Sequence, residues 1–528
     1  MSRWDFPYQS QRMPLMADQM VATSQPLAAQ AGIDMLRQGG NAVDAAIATA
    51  ITLTVVEPTS NGLGSDAFAM IYHDGELTGV NGSGRSPQAW RYEQFADMAK
   101  MPQLGWSSVT VPGCVSVWVE LSRRFGKLDF EQLFSHAIAY AKNGYVVSPI
   151  TAAAWKKAQK RYANYSEFKR VFLPGGKAPE CGERFFNSDQ AITLAKIAAS
   201  NGRSFYQGEL AEHIAQASKS EGGLLTTDDL SAHKPQWVEP LSIDYYGVQL
   251  HELPPNGQGM AALIALSLLQ RLDVDRFAVD SVDSLHLQIE AMKLGFQAAE
   301  HYVADPEFMA VDPKMLLAAE NIDAYAAKID LQQAHYLPFR LPTDHGTVYL
   351  SAADQNGMMV SFIQSNYMGF GSGVVIPATG ISMQNRGCGF SLEQGHPNQV
   401  DGGKRPYHTI IPGFVTKDGK PLLSFGVMGG RMQPQGHVQM MVRIFNYGQN
   451  PQSASDSPRW CVLPDGSVAI EAHFPQKIAD GLANRGHSIA RESNPSLFGG
   501  AQIIMKQDQG QGYIGASDHR KDGCAAGY

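Results

Sequence analysis

Between residues 347 and 362 apolar and polar positions alternate along the chain. Val348, Leu350 and Ala352 are interleaved with Thr347, Tyr349 and Ser351, the period of a half-buried strand. Asn356-Gly357 follows, and then a second apolar run, so the stretch predicts a β-hairpin closed by a two-residue turn. Thr347 opens its first strand directly after Gly346. Nearer the start the period lengthens. Pro26 stands in a first helical turn, Leu27, Ala31 and Met35 follow at spacing four, and Gly39-Gly40 stops the helix. Asn41 caps a second helix with Asp44 in its first turn and Ile47, Ile51 and Val55 on one face. A Gly-bearing loop over 59–66 then leads into a strand over 68–73, a turn at Asp74-Gly75 and a return strand to Val80.

From Val111 to about residue 341 the helical period dominates, most clearly in the stripe Leu285, Ile289, Met292, Phe296 and Ala299. Stretches 160–190 and 218–240 are polar and Gly/Pro-bearing and read as surface loops. Pro254-Pro255-Asn256-Gly257-Gln258-Gly259 is a rigid turn opening into a helix over 260–272. Beyond Thr347 paired strands take over, with hairpin turns at Asp418-Gly419 and Asp465-Gly466. Helices gathered in the first two-thirds and strands near both ends fit an α/β (α+β) chain folded as a layered αββα sandwich. A doubly wound sheet would need regular alternation of strand and helix.

Composition narrows the function. With 44% apolar and 17% charged residues the chain is of the globular class. A net charge of -8 without a basic run excludes a general nucleic-acid role. The longest apolar run, 45–56, is too short to span a bilayer, and the first residues carry no apolar signal segment, so the expectation is a cytoplasmic protein. The five cysteines include no C-x-x-C pair and the histidines no H-E-x-x-H, so neither a disulfide framework nor a metal site is expected. Neither a G-x-S-x-G elbow nor a dinucleotide-binding glycine motif is present.

Two short segments could carry chemistry. Gly429-Gly430 directly precedes a helical run, where backbone N–H groups lack intrahelical partners and a substrate can approach closely. It reads either as an oxyanion hole or as a plain strand-to-helix turn. Lys404-Arg405-Pro406-Tyr407-His408-Thr409 places charge and hydroxyls just before a strand, and a surface loop would explain it equally well.

Taken in order, these segments resemble the γ-glutamyltranspeptidase family. The resemblance runs from Gly39-Gly40-Asn41-Ala42-Val43-Asp44 through Gly62-Leu63-Gly64, Val111-Pro112-Gly113 and Leu253-Pro254-Pro255 to Thr347–Asp354. It ends with Lys404-Arg405-Pro406, Gly429-Gly430, Pro458-Arg459 and Gly515-Ala516-Ser517-Asp518. What it implies is an N-terminal-nucleophile hydrolase, made as a precursor that cuts itself between Gly346 and Thr347. Residues 1–346 would form a large subunit and 347–528 a small one, intertwined as one unit that needs no cofactor and could oligomerise further. Thr347 would attack γ-glutamyl amides of the glutathione type, with Gly429 and Gly430 as oxyanion donors, and the acyl group would pass to water or an amine.

The pocket departs from the family. Ser83 stands where an arginine holds the substrate α-carboxylate, with Arg85 two places on; Gly389 replaces the acid that receives the α-amine; Arg386 replaces a glutamine; and His408-Thr409 replaces a serine pair. Asn366 matches the pocket asparagine. The substrate-binding set on this reading is therefore Arg386, Asn366, His408, Thr409 and Arg85. A glutaryl or other dicarboxylic-monoamide acylase of the same mechanism is the first rival, and an uncleaved, inactive scaffold the second.

Overall fold

Residues 42–56 carry alanine, valine, isoleucine, leucine and threonine on every side, and the helix Ala42–Val56 is buried along its whole length. Instead of one apolar face it presents a full apolar cylinder, as a helix inside a large core must. Asn41 caps it through a capping box with Asp44, and the carboxylate of Asp354 accepts the Ala42 N–H at 3.0 Å. The computed structural model that shows this describes residues 11–339, 346–507 and 512–528.

The helix lies against one of two seven-stranded antiparallel sheets. In that sheet the strand Gly346–Ala353 sits between Met20–Thr23 and Met359–Tyr367, and the order continues through Asp66–His73, Glu76–Asn81 and Gln236–Val238. Cys524–Gly527 closes the other edge against Met20–Thr23. The second sheet is built around Lys420–Met428, flanked by Gly413–Lys417 and Gly500–Lys506. On its outer face lie the helices Gly259–Arg271, Val282–Tyr302 and Met432–Met441, and the stripe Leu285, Ile289, Met292, Phe296 and Ala299 is buried there as its spacing predicts. Between the sheets Met70, Tyr349, Ile363, Phe414 and Met428 form a third apolar layer. This is the αββα sandwich expected from the order of elements.

Four local expectations are corrected. The hairpin after Thr347 pairs Ala353 with Met359, so its connection is the longer loop 354–358. There Asp354 accepts the N–H groups of Asn356 and Met358, and only Gly357 takes a positive φ. Stretch 160–190 holds the helix Ser166–Phe172, whose Phe168, Val171 and Phe172 are buried at helical spacing beneath polar neighbours. Stretch 218–240 holds the helix Thr227–Ala232 and the strand Gln236–Val238, and the hairpin Leu241–Tyr245/Val248–Glu252 follows within the region read as helical.

Candidate active site

Thr347 lies in an irregularity of the sheet. Gly346 pairs with Tyr367 and Val348 with Gln364, so Ser365 and Asn366 together face the single residue Thr347. Such a bulge re-aims side chains, and it is common beside active sites. Here it brings the Ser365 hydroxyl between the two ends of one peptide bond. Thr347 Oγ1 donates to Ser365 Oγ at 3.1 Å, and Ser365 Oγ donates to the carbonyl oxygen of Gly346 at 2.6 Å. Tyr367 closes the bulge at φ 76°, a conformation unusual for a bulky residue, and its N–H donates to Ser365 Oγ at 2.8 Å. Gly346 has no room for a side chain, because a Cβ there would stand 2.3 Å from the Gly369 nitrogen. Thr347 is 3% exposed.

The two sheets place the diglycine opposite. Ser351 bonds Ser424, and the Tyr349 ring lies on Gly426, where a Cβ would come within 2.4 Å of it. The strand that leads to Gly429 therefore faces the strand that Thr347 opens. Gly429 and Gly430 adopt φ 126° and 59°, which glycine tolerates and other residues resist, and they turn the strand into the helix Met432–Met441. Their carbonyls accept Met432 and Gln433 N–H groups, while among the described residues no group accepts from either glycine N–H.

Arg386 forms the opposite wall. It is 1% exposed, its Nη1 donates to Thr409 Oγ1 at 2.6 Å, and its guanidinium lies over the Tyr367 ring at 4.8 Å. Among the described residues its Nε and Nη2 have no hydrogen-bond partner. Burial lowers its pKa to about 10, with Asp66 acting in the other direction, so it is cationic at neutral pH. Gln258 Nε2 donates both to the Thr409 carbonyl and to the Gly430 carbonyl, tying the Arg386 wall to the diglycine turn. A cleft of about 1150 Å3 adjoins this wall through Cys388, Gly389 and Tyr407, and Met101 and Gln103 also line it. Among the described residues no cluster of three His, Cys, Asp or Glu could hold a metal ion.

Three residues expected in the pocket stand elsewhere. Arg85 donates to Asp305 at 2.8 Å and to Glu307 at 2.6 Å, so its charge is already answered by two acids. Asn366 turns its amide away from Thr347, accepting from Ser65 at 2.8 Å and donating to Ser382 at 3.1 Å. His408 is fully buried behind Arg386, with Nε2 3.0 Å from the Asp66 carboxylate. Sequence reasoning did not single out Ser365, Tyr367, Gln258 or Asp66. The only signal for Asp66 was a lone carboxylate entering an apolar strand, and for Gln258 its place in the Pro-Pro-Asn-Gly-Gln-Gly turn.

The family model that matches is Gamma-glutamyltranspeptidase, over residues 28–528. The chain belongs to this family. It is 35% identical to the glutathione hydrolase-like YwrD proenzyme of Bacillus subtilis, over 96% of this chain and 98% of that protein. The oxamate amidohydrolase proenzyme of Klebsiella pneumoniae is 34% identical, again over 96% of this chain and 98% of that one. Among solved structures, the cephalosporin acylase from Bacillus halodurans superposes with a TM-score of 0.95 at 47% identity, covering 100% of this chain and 99% of that one. The protein is thus a γ-glutamyltransferase/glutathione hydrolase-like enzyme with an N-terminal-nucleophile fold.

Proposed function

We propose that the protein cuts itself between Gly346 and Thr347 and then hydrolyses amides whose acyl group ends in a carboxylate. In the precursor, Thr347 Oγ1 attacks the Gly346 carbonyl carbon. Ser365 stabilises the developing oxyanion through the hydrogen bond it already makes to that oxygen. The C–O bond forms and the C–N bond breaks, the nitrogen takes up the hydroxyl proton, and water cleaves the resulting ester. That leaves a Gly346 carboxylate and a Thr347 α-amine. Residues 1–346 and 347–528 become the two subunits.

An α-amine with a pKa of about 7.7–8.0 is partly unprotonated at neutral pH and serves as the base for its own hydroxyl. Thr347 Oγ1 then attacks the substrate amide. The N–H groups of Gly429 and Gly430 hold the oxyanion, the leaving amine takes a proton, and water or a second amine accepts the acyl group.

The observation that carries the substrate reading is the buried Arg386 with two unpartnered guanidinium nitrogens. Buried guanidinium N–H groups without acceptors are costly, and a bidentate carboxylate is a ligand that satisfies them. Substrates of this kind include γ-glutamyl amides and glutaryl amides. The second group is favoured by Gly389, which offers no carboxylate for an α-ammonium, and by the acylase named among the related structures.

The test compares L-γ-glutamyl and glutaryl p-nitroanilides on the processed protein and on Arg386→Ala. The glutaryl compound is expected to be turned over at least as well. The mutant should lose roughly ten- to a hundred-fold in kcat/KM on both, the effect of a charge-assisted hydrogen bond. A strong γ-glutamyl preference that the mutation leaves untouched would assign recognition to other residues.

A further inference from the structure

Behind Arg386 lies a buried acid–imidazole pair that the reaction above does not use. Asp66 and His408 are both 0% exposed. One Asp66 oxygen lies 3.0 Å from His408 Nε2, and the other accepts the Gly113 N–H at 3.1 Å. His408 Nδ1 faces the Ile410 N–H at 3.4 Å, so the imidazole proton sits on Nε2 and points at Asp66. The pair as built therefore carries one negative charge.

The charges around it nearly cancel. Arg386 and Arg405 both act on Asp66, and Arg405 with Arg85 is answered by Asp305 and Glu307. Cys114 and Tyr206 also face Asp66, and burial pushes both well above their ordinary pKa, which keeps them neutral. Arg386 and Asp66 are left as one positive and one negative charge. A substrate carboxylate on Arg386 would leave the buried group one negative charge in excess, and a charge enclosed without water is costly.

We propose that a carboxylate binding at Arg386 brings a proton with it, taken up by the Asp66–His408 pair. This rests on the reading of Arg386 as the acyl-carboxylate receptor. The proton converts the pair from carboxylate–imidazole to carboxylate–imidazolium, or to its tautomer with the proton on Asp66, and restores neutrality. The pair is placed to do this near neutral pH. Burial raises Asp66 to about 7 against the opposing field of Arg386, and burial followed by Arg386 holds His408 far below its usual value. A second anion beside Arg386 raises the proton affinity of the pair further.

Linkage fixes the sign. Uptake of a proton on binding means that affinity is constant below the pKa of the empty pair. Above it, affinity falls about tenfold per pH unit until the pKa of the occupied pair is reached.

The experiment measures glutarate as a competitive inhibitor of anilide hydrolysis by the processed enzyme between about pH 6 and 9, where glutarate stays ionised. Asp66→Asn and His408→Gln are measured beside it. Wild type should show a rising inhibition constant above about pH 7. Asp66→Asn should be flat from the pair, keeping only whatever slope the Thr347 α-amine adds, whereas His408→Gln, which keeps the Asp66 carboxyl, should retain a slope displaced along the pH axis. Asp66→Asn should bind glutarate more tightly than wild type at the alkaline end, by about tenfold.

A wild-type inhibition constant independent of pH, or a slope that Asp66→Asn retains in full, overturns the proposal. Glutarate binding that Arg386→Gln leaves unchanged overturns the receptor reading itself. Binding abolished by Arg386→Gln but without proton linkage overturns only the role of the pair. Should both variants fail to fold, calorimetry of glutarate binding to wild type in two buffers of different ionisation enthalpy counts the proton directly, and a value of zero rejects it.

Discussion

At the scale of single residues, the proposed self-cleavage rests on two hydrogen bonds that meet at Ser365. Thr347 Oγ1 and the Gly346 carbonyl are joined through one serine hydroxyl. Ser365→Ala should therefore slow self-cleavage by on the order of 100- to 1,000-fold, the usual effect of losing one oxyanion donor. Thr347→Ala should remain a single inactive chain, whereas Thr347→Ser should still process because hydroxyl and nascent amine are both kept. Intact mass measured over time after synthesis checks all three. A Ser365→Ala protein that processes at the wild-type rate would remove that serine from the step. The strand that Thr347 opens was legible in the sequence through its alternation of apolar and polar residues, and the ordered motifs around it are what single out Thr347. Ser365 and Tyr367 were not legible, since their roles depend on a bulge, and one extra residue opposite Thr347 leaves no mark in the alternation of side chains. The same extra residue misassigned Asn366, which the bulge turns towards Ser65 and Ser382.

At the scale of elements, the periods read from the sequence located the long helices and the Gly-marked hairpins, because each of those is specified locally. The missed elements are short: the helix Ser166–Phe172 and the hairpin at Leu241–Glu252 are stabilised by the layers they join. In the proposed reaction the oxyanion donors sit at the turn from the strand Lys420–Met428 into the helix Met432–Met441. At Gly430 φ is 59°, and at Gly429, φ 126°, a Cβ would meet Gly499 at 3.1 Å. A β-branched side chain is strained in that backbone region. Gly430→Val should therefore move the N–H groups off the oxyanion position and lower kcat, with KM changed far less, by on the order of 100-fold or more. Steady-state kinetics on protein whose melting temperature is near that of wild type is the measurement. Unchanged kcat in a folded variant would take the diglycine out of the reaction.

At the scale of the whole molecule, the proposed cut falls inside a continuous sheet, and this decides what the cut does to the fold. The strand Gly346–Ala353 is hydrogen-bonded on one side to Met20–Thr23, which precedes the cut, and on the other to Met359–Tyr367, which follows it. Cys524–Gly527, almost the last residues of the chain, then pairs with the far edge of Met20–Thr23, and Met359–Tyr367 pairs with Asp66–His73. Strands from before and after residue 346 are thus interleaved in the sheet, with Met20–Thr23 held between Cys524–Gly527 and Gly346–Ala353. The helix Ala42–Val56 packs on it with its N-terminus held by Asp354 from the other side of the cut. Breaking one peptide bond removes none of these contacts, and separating the pieces would expose apolar surface throughout the layer at about 25 cal/mol for each Å2. The cut protein is therefore expected to migrate as one particle in native size-exclusion chromatography and to resolve into two chains only under denaturing conditions. The shorter chain should begin Thr347-Val348-Tyr349. Residues 347–528 produced alone should not fold, because Gly346–Ala353 and Met359–Tyr367 would then each lose a neighbouring strand and leave an unpaired edge. A small fragment that folds and stays soluble without residues 1–346, or a cut protein that separates in native buffer, would show that the two parts are independent bodies rather than one interleaved sandwich.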